Sequence, residues 1–448
     1  MLSRRAFLLR VVPAVTGLVA PSGLIACDLG QRGGSTAPEV TFGEPVSVTF
    51  WHTQTGPHEQ ALAEMATKFN ATNEKGITLQ CEYQGSYTQV FQKVMGAIQA
   101  GSPPDVAVAN EAMVAEYTKA NAVVDLDDYA LRGPQAYRKE SLDDIFPACI
   151  ESNRYDAFNG KLLSFPFAKS LAVQYHNEDV LRAATHTKFA GLTFDEFKRQ
   201  VAASTKKDSG GRPIVWGHHI RVDASYVGAF IYANGGELLT KDKAKVRFNE
   251  APAVEVLEMW AGLVRQGLAY TTQGYEYQAD FGSGRVASLH DSSASRTFLK
   301  QEAQDKFGWG IGMIPQREPR KPATLMFGGN VTVFRTTAQR QAAAWEWIKF
   351  FTDRDQTVAW AIQSGSMPTR RSAAEHPELT AHWEHEPQAK QAFELTRYAR
   401  PEPNIPAWQD IRSFLAEALT AVITHKMTAK GALDIAAVQA NRLIQEKR

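Results

Sequence analysis

Val46-Ser47-Val48-Thr49-Phe50-Trp51, Ile77-Thr78-Leu79-Gln80-Cys81-Glu82-Tyr83 and Asp105-Val106-Ala107-Val108-Ala109 set the architecture of this chain. The first run is β-branched and aromatic with a two-residue alternation, and the third is a short apolar run; both are strand patterns. Gly56-Pro57 breaks the first strand, and residues 58–70 then carry Leu62, Met65, Ala66 and Phe69 at helical spacing. A second helix runs through Val90, Val94, Ala97 and Ile98 until Gly101-Ser102-Pro103-Pro104 stops it. Strand–helix–strand–helix–strand is the order of an α/β lobe with a largely parallel sheet. Ligands of such sheets sit beyond the carboxyl ends of the strands. That rule puts Trp51-His52-Thr53, Tyr87 and Asn110-Glu111 on one rim.

The second half alternates again. Strands are expected at 172–177, at Val286-Ala287-Ser288-Leu289-His290 leading into Asp291-Ser292-Ser293, and at Val331-Thr332-Val333-Phe334 after Gly328-Gly329-Asn330. Helices are expected at 194–204, 226–234, 251–266 and 338–351, and from Ile411 to the end. Trp345 and Trp360 lie among apolar residues at helical spacing and read as core, whereas Trp51 divides between core and pocket.

Ahead of the folded part stands Ser3-Arg4-Arg5-Ala6-Phe7-Leu8, and Leu24-Ile25-Ala26-Cys27 closes the first apolar stretch. A charged start, an apolar run and a small-residue cleavage site make residues 1–26 a signal peptide of twin-arginine form. The closing residues resemble the bacterial lipobox, which makes Cys27 the lipidation site. Arg10, Pro13, Pro21 and Gly23 interrupt the run and argue against a spanning helix. Residues 27–45, rich in Gly, Ser, Thr and Pro, read as a flexible tether. The protein is thus expected on the extracytoplasmic face, lipid-anchored to the cell membrane.

The 448 residues leave enough chain for two lobes, and 44% apolar with 22% charged residues is ordinary for a globular protein. With 49 basic against 48 acidic residues, no polyanion-binding balance exists, and nucleic acid is excluded as an expected partner. Cys81 and Cys149 read as buried free thiols. His218-His219 and His382/His385 read as surface or loop pairs without further ligands at zinc spacing, so no metal and no cofactor is expected. No Gly-x-Ser-x-Gly elbow or His-Glu-x-x-His helix is present, and no catalytic residue is assigned.

A series of landmarks then runs in order along the mature chain: Phe50-Trp51-His52-Thr53, Tyr83-Gln84-Gly85-Ser86-Tyr87, Gly101-Ser102-Pro103-Pro104-Asp105-Val106, Asn159-Gly160-Lys161, Phe165-Pro166-Phe167, Tyr175-His176-Asn177, Ala233-Asn234-Gly235-Gly236, Phe327-Gly328-Gly329-Asn330 and Gly365-Ser366-Met367-Pro368. In order and spacing it resembles the family 1 extracellular solute-binding proteins of bacterial ABC importers, closest to their glycerol-3-phosphate/glycerophosphodiester branch. The resemblance implies a two-lobe periplasmic-binding-protein-like α/β fold of type II, with the ligand in the cleft between lobes. Residues 46–172 plus 328–366 would form the first lobe, and 173–327 plus 367–448 the second. It also implies that Tyr87, Glu111, Ser170, Ser292 or Ser293, Gly329 and Arg400 touch ligand. Arg400 would grip a phosphate, Gly329 would admit a backbone N–H, and Glu111 would accept from hydroxyls.

This chain departs from that branch at Ser366, where the branch carries tyrosine. The alternative ligand is an unphosphorylated mono- or oligosaccharide, for which Trp51, Trp216 and Trp408 would supply stacking faces beside Glu111 and Tyr226. The expected function is capture by a monomer and delivery to ABC permease subunits, without catalysis. A lipid-anchored glycosidase and a sugar sensor feeding a receptor stand as alternatives.

Overall fold

The computed structural model describes residues 37, 40–134, 136–184 and 186–447. The leader 1–26, Cys27 and most of the tether lie outside the described residues. The tether's last part is not free: Val40 and Phe42 pack against the core, with Lys75 Nζ 5.7 Å from the Phe42 ring centre. Apolar side chains next to an apolar surface bury themselves, so residues 40–42 belong to the folded part rather than to the expected tether.

Strand β1 (Val46–His52) alternates buried and more exposed positions and pairs in parallel with β2 (Ile77–Tyr83), Val46 facing Ile77. On its other side it pairs in parallel with β3 (Val106–Ala109), Phe50 facing Val106. Helix α1 (Pro57–Thr72) carries Pro57 in its first turn, where a missing N–H removes no helical bond, and buries Leu62, Met65 and Phe69. Helix α2 (Tyr87–Gln99) opens with a capping box made by Ser86 and Gln89, which puts Tyr87 at its first position. Asn110 caps α3 (Glu111–Lys119) by accepting from the Met113 N–H at 2.9 Å.

The sheet is not largely parallel beyond these strands. Thr324–Val333 pairs antiparallel with β3, and Phe165–Asn177 pairs antiparallel with Thr324–Val333. Phe165–Asn177 leaves the first half for the second and Thr324–Val333 returns from it, so the two run in opposite directions side by side. Phe165–Asn177, which starts well before the expected residue 172, runs on to pair with Ser288–Ser292 and Trp309–Gly312. One ten-stranded sheet therefore threads both halves.

Separate apolar clusters flank the crossing strands. One gathers Phe50, Phe69, Phe165, Phe167, Trp345, Trp347 and Trp360; the other gathers Phe230, Phe248, Trp260, Trp408, Leu415 and Leu433. Fully burying one such side chain is worth about 1.5–3 kcal/mol; the first cluster runs on along the crossing strands to Tyr175, Tyr277, Phe281 and Leu289, and so ties the two halves together. The molecule is a two-lobed α/β fold with a cleft between the lobes. Helices Trp408–Ile423 and Ala429–Lys447 belong to the second cluster. Among the described residues, no helix is long and apolar enough to cross a membrane.

His218 and His219 form a short strand and are both fully buried, contrary to the surface placement expected from their spacing. Cys149 is buried, Cys81 is half-buried and both are free.

Candidate functional site

The cleft holds a cavity of about 680 Å³. Its floor is the pair of crossing strands, through Ala168 and Ser170 on one and Phe327 and Gly328 on the other. The first lobe contributes Thr53, Gln54, His58, Tyr87 and Asn110. The second contributes Arg221, Asp223, Tyr226, Tyr275, Asp291 and Ser292, with Glu402, Gln409 and Arg412 from the C-terminal segment. Asn110 Nδ2 donates to Gln409 Oε1 across the cleft at 3.2 Å.

The expected residues separate by place. Tyr87, Ser170 and Ser292 line the cavity. Gly329 stands beside it, and a Cβ there would lie 2.9 Å from the Tyr87 hydroxyl; the glycine leaves room for that phenol. Burial pushes the Tyr87 phenol up to about 12, so it remains a neutral donor.

Glu111 does not line the cavity. It is buried behind it and accepts from Lys169 Nζ at 2.7 Å, with both side chains all but inaccessible. Ser293 is buried and its Oγ accepts from the Leu171 N–H at 3.1 Å, which ties the floor strand to its neighbour. Arg400 is also displaced from the cleft: it makes two bonds to Glu237, at 3.1 and 2.6 Å, and its guanidinium lies 3.9 Å over the Tyr232 ring. The three tryptophans offered as stacking faces line no part of the cavity. Trp51 packs with the cluster around Val90 and Met113, Trp216 stacks on Tyr270 at 5.0 Å, and buried Trp408 donates from Nε1 to Glu402 at 3.2 Å.

The charged groups of the site are others. Arg412 ion-pairs with Glu402, lies 3.4 Å from Asp223, and donates to Ser225 Oγ at 2.8 Å. Desolvation works to raise the Asp223 carboxyl, but Arg412, the Ser225 N–H and Arg221 together pull it below its usual range. At Glu402 burial prevails and its carboxyl sits above that range. Asp291 accepts from Tyr226 Oη at 2.7 Å, from Tyr277 Oη, and from the Ser292 N–H at 2.8 Å. Arg221 is different. Its guanidinium lies 4.9 Å from both the Tyr275 and Tyr277 ring centres and 5.9 Å from that of Tyr226. Among the described residues it has no carboxylate within ion-pair distance. Burial lowers His58 to about 4, leaving a neutral imidazole beside Thr297 at 3.2 Å.

Arg412 sits in an amphipathic run whose polar face reads in sequence as solvated. Its carboxylate partner Asp223 is contributed from far away along the chain, and no local pattern marks the pair. Arg221 follows the histidine pair, and its three tyrosines come from two other segments.

A family model described as bacterial extracellular solute-binding protein matches residues 64–387. The chain belongs to the bacterial extracellular solute-binding proteins. Among relatives of this solute-binding protein is the sn-glycerol-3-phosphate-binding periplasmic protein UgpB of Pectobacterium atrosepticum, 25% identical over 426 residues, spanning 89% of this chain and 91% of that one. The protein of the same name from Escherichia coli K12 is 23% identical over 417 residues, spanning 89% and 92%. In three dimensions it is similar to UgpB from Mycobacterium tuberculosis in complex with glycerophosphocholine, with a TM-score of 0.77 at 17% identity over 90% of this chain and 99% of that one. The GacH receptor of Streptomyces glaucescens, also solved with acarbose, matches with a TM-score of 0.77 at 20% identity over 90% and 100%. These likenesses identify the two-lobe fold of periplasmic binding proteins.

Proposed function

We propose that this solute-binding protein captures a glycerol phosphate ester, preferably a phosphodiester, and delivers it to the permease of an ABC importer. The observation that carries the ligand class is Arg221: a permanent cation on the cavity wall, flanked by aromatic faces, feeling Asp291 and Asp223 only from beyond ion-pair distance. Such a guanidinium offers paired donors that suit a phosphate. Tyr87, Ser170 and Ser292 supply neutral donors, and Asp223 and Glu402 accept from glycerol hydroxyls. The cavity volume lies within the roughly 300–1,000 Å³ typical of drug-sized ligands, and short Ser366 leaves one wall open to the second alcohol of a diester. The names of the UgpB relatives agree with this class.

A carbohydrate is the second reading, favoured by the faces of Tyr275, Phe298 and Phe327 on the same cavity and by its carboxylates. Either ligand would touch both lobes at once and shift the population from open to closed, with hinge closure creating the surface that a permease recognises. Binding is the whole act in this proposal; partner subunits hydrolyse ATP. Residues 46–172 plus 328–366 and 173–327 plus 367–448 remain the proposed lobes. Export through the twin-arginine leader and lipidation at Cys27 keep the monomer on the outer face of the membrane.

The test is a thermal-shift screen of the leaderless protein with glycerol-3-phosphate, glycerophosphocholine, maltose, trehalose and simple hexoses. Stabilisation grows with ligand concentration over Kd, reaching about 2.7 kcal/mol at a hundredfold excess over Kd. A shift with either phosphate ester and none with the sugars supports the proposal. A shift confined to sugars replaces it with the second reading, and hydrolysis of a glycoside would restore the enzyme alternative.

A further inference from the structure

His218 and His290 meet inside the second lobe, directly behind Arg221. The Arg221 N–H donates to His290 Nε2 at 3.1 Å, so that nitrogen carries a lone pair. In a neutral ring the proton is then on Nδ1, which lies 2.9 Å from His218 Nε2 and donates to it. The same reasoning puts the His218 proton on Nδ1, donating to Ser288 Oγ at 2.8 Å. The Ser288 hydroxyl in turn donates to the Gly217 carbonyl at 2.9 Å. Every direction in the relay is thereby fixed. Both rings are fully buried, and burial holds both imidazoles in the neutral form that this relay requires.

The next residue of the same strand completes the arrangement. Asp291 holds the hydroxyls of Tyr226 and Tyr277, two of the three tyrosines around the Arg221 guanidinium. One strand end thus fixes the backbone of Arg221 through His290 and its side-chain cage through Asp291. Ile220 N–H bonds the Tyr270 carbonyl at 2.9 Å on one side, and Asp223 caps the helix Ala224–Ala233 on the other. His290 supplies the only side chain among the described contacts that receives the Arg221 amide.

We infer that His290, backed by His218 and Ser288, is the positioning residue that aims Arg221 at the anionic part of the ligand and so sets selectivity for charged over neutral solutes. Neutral imidazoles suit this task better than a carboxylate. A carboxylate accepting the Arg221 amide would add a further negative charge to those of Asp291 and Asp223 near the guanidinium and compete more strongly with the ligand anion. The relay holds the loop without offsetting the cation's charge any further. The inference rests on the proposal that Arg221 meets a ligand anion.

The experiment is calorimetric titration of glycerol-3-phosphate into wild type, Arg221→Met, His290→Phe, His290→Gln and the double variant Arg221→Met/His290→Phe. Losing an aimed charge-assisted contact should weaken binding roughly tenfold or more in His290→Phe. His290→Gln, whose carbonyl can still receive the Arg221 N–H, should regain most of that loss. In the Arg221→Met background, His290→Phe should add nothing. An undiminished His290→Phe loss in that background, or no loss in wild-type background, overturns the inference while leaving the ligand class intact.

If the wild type binds no phosphate ester, the ligand proposal falls first, and the aiming of a ligand anion falls with it. Hydrogen exchange of the ligand-free protein tests the geometry separately. Protection of the Arg221 amide should drop in His290→Phe and persist in His290→Gln; unchanged protection in both overturns the relay. This second measurement also reads out any variant with weakened folding.

Discussion

Replacing Lys169 by methionine tests the least forgiving contact in the hinge region. Lys169 and Glu111 are 1% and 2% exposed and 2.7 Å apart, and Glu111 Oε2 has no other partner. Water cannot reach an isolated Glu111, so Lys169→Met leaves a buried charge uncompensated. Breaking such a pair from one side destabilises by about 3–5 kcal/mol, whereas replacing both members with apolar residues is often neutral or better. Lys169→Met should therefore lose about 3–5 kcal/mol, and Lys169→Met/Glu111→Leu should return to within about 1 kcal/mol of wild type. Urea unfolding followed by fluorescence of the nine tryptophans reads both. The two single substitutions should be strongly non-additive. A Lys169→Met loss under about 1 kcal/mol, or additive single effects, would show that Lys169 is not what compensates Glu111 and would refute the argument. Because Glu111 does not line the cavity, the double variant should bind ligand as wild type does.

Two further outcomes follow from the same contacts. Arg400→Ala should leave ligand affinity unchanged by calorimetry and lower stability by no more than about 1 kcal/mol, because its pair with Glu237 is partly solvated; abolished binding would return Arg400 to the site. Buried His218, lowered to about 3 by desolvation, has a folded pKa below its unfolded one. The unfolded chain then binds the extra proton, so stability is present at neutral pH and is lost as pH falls through about 6.5. From pH 7 to pH 5 this single group removes about 2 kcal/mol. Denaturant titrations at both pH values should show a shallower dependence in His218→Gln, and an equal slope would mean that His218 is accessible to protons.

How much was legible follows from the range over which each signal acts. Helix α1 could be read from Gly56-Pro57 and the spacing of Leu62, Met65 and Phe69, because those contacts repeat every turn. Strand β1 could be read from its alternation. Phe165–Asn177 was only half legible, since Pro166 and Lys169 interrupt its pattern; its antiparallel partner lies some 160 residues away. The cavity residues Tyr87, Ser170 and Ser292 were reached through family landmarks that mark strand and helix ends. Arg400 was the reasonable phosphate ligand in one dimension, and Glu237 with Tyr232 removes it in three.

The sequence by itself determined the α/β alternation, the two-lobe family resemblance and the buried fate of Trp345 and Trp360. Each depends on local periodicity, on composition or on an ordered set of short motifs. Only the tertiary structure decided which charges line the cleft. Arg221 keeps its donors unpaired because tyrosine rings pack against it while Asp291 and Asp223 stay beyond ion-pair distance, and Arg400 is occupied because a glutamate folds back onto it. The free energy of a charge depends on what surrounds it within a few ångströms, and in this fold those surroundings come from segments far apart in the chain.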